Sequence, residues 1–254
     1  MKKVLLLWIG TFFIINVIGF LQISTDPNYP VTGTLSIENK KVTFRFERIV
    51  RTDTAHTVIV RSDNHNVDAA LHYRVEGTGV TDSIVPMTFQ GEMLTASIPP
   101  QKPETKISYF VSLKSKAEEK QLPSTGPVTL LFLGKVSTII SVVFLLTLFG
   151  GMILAIRTGL EYFNEKPHHK RYSIWTSIAF ILNGIVVAPV KISYELGAIG
   201  TKVLPIMTVF NPAYLVLPLL WITATVCAFT PPRYSKLVVL ITAIVSAVYF
   251  VFLH

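Results

Sequence analysis

The sequence predicts a membrane α-helical bundle of five transmembrane helices joined to an extracytoplasmic all-β domain of the immunoglobulin-like sandwich type. Three observations carry that expectation. Half of the 254 residues are apolar and only 15% are charged, a balance unlike that of a soluble domain. The apolar residues gather in runs near the length of about 20 residues that crosses a bilayer. Between Ile23 and Gly134 the hydrophobic period falls to two, the period of strands with one buried face. The expected division is therefore 1–22 for an N-terminal signal-anchor helix, 23–134 for the β domain and 135–254 for a four-helix transmembrane region.

The N-terminus, "MKKVLLLWIGTFFIINVIGFLQIS", has a basic start followed by an apolar stretch from Val4 to Leu21. That stretch is longer than the core of about 7–15 residues in a cleaved signal peptide, and no small-x-small site follows it, so it reads as an uncleaved signal anchor. Next come the strands. "KVTFRFE" sets Val42, Phe44 and Phe46 against Thr43, Arg45 and Glu47, and "ALHYRVE" sets Leu71, Tyr73 and Val75 on one face. "TGTLSI", "HTVIVRS", "SIVPMTFQ", "MLTASI", "KISYFVSLK" and "VTLLFLG" bring the number to about eight, with turn clusters such as "SDNHN" and "PPQKPET" between them. So many short strands in so few residues suit two packed antiparallel sheets. Four more apolar runs follow, near Ser137–Ala155, Ser173–Val190, Val203–Phe229 and Leu237–Leu253.

Charge sets the expected orientation. Of 23 Lys and Arg, 13 lie between Ile23 and Lys135 beside 12 of the 15 acids, leaving 10 bases and 3 acids for the helical part. All but one unit of the net charge of +8 thus belongs to the membrane-embedded regions and not to a basic face, which argues against nucleic acid as a partner. Lys2 and Lys3, then Arg157, Lys166, Lys170 and Arg171, then Arg233 and Lys236 all fall on one side if five helices alternate. By the positive-inside rule that side is cytoplasmic. The N-terminus is then inside, and the β domain and His254 are outside a bacterial cytoplasmic (inner) membrane.

The run "ALHYRVEGTG…PMTFQGEMLTASIPPQKPETKISYFVSL" resembles fibronectin-type or Ig-like modules of bacterial surface proteins. With "GGMILAIRTGLE", "YSIWT" and the Gly184–Pro189 region, the chain as a whole resembles a group of bacterial multi-spanning membrane proteins with an external β domain and no established activity. The likeness implies a topology and brings no catalytic residue.

Several residues invite a sharper reading. Asn211-Pro212-Ala213 is the tripeptide of water channels, but one copy without an internal repeat lacks the paired half-helices of such a pore. A helix kink at Pro212 and Pro218 is the expected role, with Asn211 bonding a freed carbonyl or a neighbouring helix. Lys191 and Glu195, four apart, are expected to pair at the outer interface. His168-His169 is expected in a solvated basic loop, and His56, His65 and His72 at the domain surface. Gly150, Gly151, Gly184 and Ala188 would let helices approach closely. The lone Cys227 excludes a disulfide within the chain. There is no HExxH, no Gly-rich phosphate loop and no catalytic constellation, so neither an enzyme nor a cofactor or metal site is expected. The favoured function is a non-catalytic accessory or scaffold subunit. Its partners are the lipid bilayer and a membrane or envelope protein or surface polymer held by the β domain. The alternative is a small transporter or channel with a site near Asn183, Asn211, Lys191 and Glu195.

Overall fold

A computed structural model describes residues 2–51, 54–77, 82–115, 118–199, 201–229 and 232–253. The predicted placement of His254 lies outside the described residues. Two compact units result, one of Met1–Pro27, Val136–Tyr194 and Ala198–His254, the other of Asn28–Lys135 with Glu195–Gly197.

In the β unit, eleven strands are described. A five-stranded sheet runs β1 (Val31–Ile37), β2 (Lys40–Phe46), β4 (His56–Ser62), β8 (Met93–Ile98), β7 (Thr88–Gln90). The second sheet runs β3 (Ile49–Arg51), β11 (Val128–Leu133), β9 (Lys106–Lys114), β5 (Asp68–Val75), β6 (Ser83–Pro86), with β10 (Glu119–Leu122) also on β9. All pairings are antiparallel except β11 with β3, which makes this sheet mixed. Alternation does what the pattern predicts: Val42 and Phe46, Val58 and Val60, Leu71, Tyr109 and Val111 from both sheets are buried in one core. The single strand expected over "SIVPMTFQ" is broken. Met87 is buried between β6 and β7, which belong to different sheets, and its N–H bonds Ala69 O at 2.8 Å. Local alternation cannot register that change of sheet, because it depends on which neighbour each half meets.

In the helical unit, α1 covers Lys2–Thr25, α2 Thr138–Leu160, α3 His169–Ile181, α4 Ala188–Glu195, α5 Ile206–Val209, α6 Pro212–Ala228 and α7 Pro232–Val251. A six-residue π-helical turn, Leu182–Val187, joins α3 to α4 without a break. Pro189 cannot donate to the preceding turn, and a widened turn just before it is one way a helix absorbs that loss. Among the described residues four helical stretches are long and apolar enough to span a membrane: Lys3–Thr25, Thr138–Phe163, His169–Glu195 and Tyr234–Val251.

The fourth apolar run departs from expectation. The run Val203–Phe229 is not one helix: residues 202–205 are irregular, α5 is a single short turn, and α6 has 17 residues. At 1.5 Å per residue α6 is about 25 Å long, somewhat less than the hydrocarbon core of about 30 Å. Pro205 and Pro212 explain the interruption, since each lacks the N–H that would continue a helix through it, whereas proline in the first turn of a new helix costs nothing. Pro218 does lie inside α6, as the kink reading requires. Among the small residues, Gly151 faces Phe180 and Ala188 is buried, but a Cβ on Gly150 would meet nothing within 4 Å.

Candidate functional site

Asn183 and Lys191 both reach one residue of α2. The Asn183 side chain, 2% exposed, sits in the π-helical turn and donates from Nδ2 to Phe144 O at 3.2 Å and Thr147 Oγ1 at 2.8 Å. Lys191 Nζ lies 4.8 Å from the Phe144 ring centroid, a cation–π contact. Tyr214 meets the same ring edge-on at 5.6 Å. Asn211 is an exposed helix cap: Oδ1 accepts from Ala213 N at 3.0 Å, and Pro212 occupies the first helical position. The expected kink at Pro212 is therefore a helix start. Glu195 belongs to the β unit, where Oε1 accepts from Arg51 Nε at 2.8 Å and its carbonyl accepts from Gly134 N at 2.7 Å.

A second polar cluster has no counterpart in the sequence reading. Arg157, counted there as a loop cation, is 1% exposed in the last turn of α2, beside Glu161 at 0%. Their side chains, four positions apart, approach to 2.5 Å. The guanidinium lies between aromatic rings of two other helices, 5.3 Å from Trp8 of α1 and 5.1 Å from Tyr172 of α3. Glu161 Oε2 accepts from Asn164 Nδ2 at 2.9 Å and His168 N at 2.7 Å. His169 is a buried first residue of α3, with Nε2 3.3 Å from Ser235 Oγ, and this corrects the expectation of a solvated loop for it; His168 is exposed. Nearby, Ser177 Oγ donates to Trp221 O at 2.8 Å and Trp221 Nε1 to Ser246 Oγ at 2.9 Å. Several of these contacts run between helices, Trp8 and Tyr172 with Arg157, Ser235 with His169 and Ser246 with Trp221, while Arg157 Nε and His169 Nδ1 are buried without a hydrogen-bond partner. The one signal available was the spacing of Arg157 and Glu161 at a helix end.

The β unit holds the third arrangement, a cleft in its five-stranded sheet. β2 and β4 pair only through Val42↔Ser62, Thr43↔Arg61 and Phe44↔Val60. Beyond Phe44 and Val60 the two strands have no further paired residues, and a cleft of about 450 Å³ lies there. Thr43, Arg45, Glu47, Thr57 and Arg61 line it with Ile59 and Met93, and Tyr109 of the other sheet reaches it from below. Tyr109 OH donates to Glu47 O at 2.8 Å, and burial pushes its phenol well above the ordinary value, so it stays protonated. Arg45 Nε donates to Glu47 Oε1 at 2.9 Å. His56 is half-buried, and desolvation lowers its imidazole below the usual range, opposed by Glu47. It therefore adds little positive charge at neutral pH. On the outer face of the second sheet, His72 is likewise half-buried, stacked on Phe110 and 2.9 Å from Ser112 Oγ, whereas His65 is exposed. Among the described residues no group of three or more His, Cys, Asp or Glu could hold a metal ion.

No protein-family model matches the chain, and no curated protein matches it in sequence.

Proposed function

We propose that this protein is a non-catalytic integral membrane protein, an accessory or scaffold subunit whose β domain binds a partner protein or surface polymer outside a bacterial inner membrane. The cleft between β2 and β4 carries this reading: it is a concave, polar-lined opening in an otherwise regular sheet, on a domain built from strands. The described polar side chains inside the helical unit engage mainly each other, which suits an anchor. The strand neighbours β4–β8–β7 and β5–β9–β11, in sheets sharing one core, support an immunoglobulin-like arrangement. Deleting Asn28–Ser124 is the direct test. Mild-detergent purification should recover a membrane or envelope partner in reproducible proportion from the intact protein and lose it from the deletion. A solitary protein whose cellular role survives the deletion would exclude this function.

The topology belongs to the same proposal. Five crossings, with α6 extended by the residues before it, put the three most basic segments on the cytoplasmic side and leave Lys191 and Lys202 on the other. Retention of α1 as an uncleaved anchor is supported by Trp8 against Arg157 and by Gln22 Nε2 donating to Leu253 O at 3.1 Å. Asn66, in the turn between β4 and β5, is exposed and suits a surface probe. A cysteine at Asn66 should react with a membrane-impermeant thiol reagent in intact cells, and one at exposed Lys166 should react only after permeabilisation. The reverse pattern would invert the orientation.

The transporter reading keeps one specific observation, the π-helical turn holding buried Asn183, since such turns are frequent at functional sites. Solute flux in reconstituted vesicles that Asn183→Ala abolishes would favour it over the scaffold.

A further inference from the structure

The outward side of the five-stranded sheet has an unusual balance of groups around the cleft. Arg45 is held by Glu47. Arg61, exposed on the adjacent strand, has no carboxylate partner among the described residues. The cleft thus carries one uncompensated positive charge, since His56 is held towards neutrality. Around Arg61 the cross-strand register places Thr43 on one side and Met93 on the other. Ile59 and Met93 are 44% and 37% exposed, giving the floor two apolar side chains beside hydroxyls from Thr43 and Thr57.

This is the complement of a small ring that bears one anion and several hydroxyls. A planar guanidinium matches a carboxylate through two parallel hydrogen bonds. Threonine hydroxyls can donate or accept, and Glu47 can only accept, so both suit sugar hydroxyls. The volume of about 450 Å³ lies within the range of about 300–1,000 Å³ found for small-ligand sites. A folded protein partner fits less well. Phe44 and Tyr109 line the cleft, but Phe44 is half-buried and Tyr109 buried, so no aromatic side chain stands out from this face as the Trp and Tyr anchors of protein interfaces do.

We propose that the cleft between β2 and β4 binds a carboxylate-bearing sugar residue of an envelope polymer, with Arg61 pairing the carboxylate, Thr43, Thr57 and Glu47 taking hydroxyls, and Ile59 and Met93 under the ring. This rests on the recognition role proposed above and names its ligand class. The test is calorimetric titration of the full-length protein in mild detergent with short galacturonate oligomers. They should bind, with affinity falling as salt is raised. Arg61→Gln should weaken binding at least about tenfold, as expected for loss of a charged hydrogen-bonding pair. Arg74→Gln, on the other sheet, should leave it unchanged, and neutral galactose oligomers should not compete. Absence of uronate binding, or equal binding by wild type and Arg61→Gln with both melting alike, would overturn the site. Tighter, Arg61-dependent binding of oligo-glutamate or of a glycerol-phosphate polymer would overturn the sugar carboxylate as its ligand. If Arg61→Gln has no effect while deletion of the domain still abolishes partner recovery, the recognition role stands and this assignment falls.

Discussion

Arg157→Ala should destabilise the helical unit by about 3–5 kcal/mol, the range seen when one member of a buried ion pair is removed. Glu161 would then be left fully buried, with its Oε1 facing the vacancy. Trp8 and Tyr172 would lose the cation that lies between them, and with it a tie linking α1 to α2 and α3. Glu161→Ala should cost a similar amount by stranding the guanidinium. Arg157→Lys should fall between these, because an ammonium keeps the charge and loses the planar contact with both rings. The double replacement Arg157→Met with Glu161→Leu separates the electrostatic account from a merely steric one. With neither charge left to desolvate, it should recover most of the loss, short of the hydrogen bonds that Asn164 Nδ2 and His168 N lose with the carboxylate. The measurement is reversible unfolding in detergent micelles across all four variants. Equal destabilisation by the single and double replacements would show that shape, and not the uncompensated charge, sets the cost.

What could be read in advance divides by the range of the interaction. β2 and β5 were legible because alternation is local: a period of two within "KVTFRFE" already says which side chains turn inward. Helices α1, α2 and α7 were legible because the bilayer needs only length and apolarity. Arg157 was not legible, because what buries it is Trp8 and Tyr172 on other helices, and a cation near a helix end looks the same whether it faces headgroups or aromatic rings. His169 was missed for the same reason, since Ser235 of α7 lies against it. Asn211 is a different case. Asn followed by proline at the start of an apolar run is a recognisable helix start, but the apolarity of Val203–Phe229 is continuous across it and hides the break. The cleft was out of reach, because nothing local in "KVTFRFE" or "HTVIVRS" marks where the pairing of β2 with β4 ends.

Gly184→Ala should loosen the contact between the π-helical turn and α6 at a cost of about 1–3 kcal/mol, the usual penalty for overpacking a filled interior. A Cβ at this position would lie 2.4 Å from Tyr214 O and 2.9 Å from Pro218 Cγ. Neither neighbour can yield easily: one is a backbone carbonyl in α6, the other a ring fixed to the backbone. The two helices must therefore move apart. That displacement would reach Asn183, the preceding residue, and weaken its hydrogen bonds to Phe144 O and Thr147 Oγ1. Gly184→Val should be worse, since a second and third carbon enter the same space. Gly150→Ala is the internal control, because an added Cβ meets nothing there within 4 Å. In a helix interior alanine is better than glycine by up to about 1 kcal/mol, so Gly150→Ala should be neutral or mildly stabilising. The two alanine variants should shift the unfolding midpoint in detergent in opposite directions, or at least Gly184→Ala alone should lower it. If both left it unchanged, close approach at Gly184 would not be what holds α6 to its neighbour, and the packing of Trp221 and Leu217, both buried in the same core, would have to carry that contact.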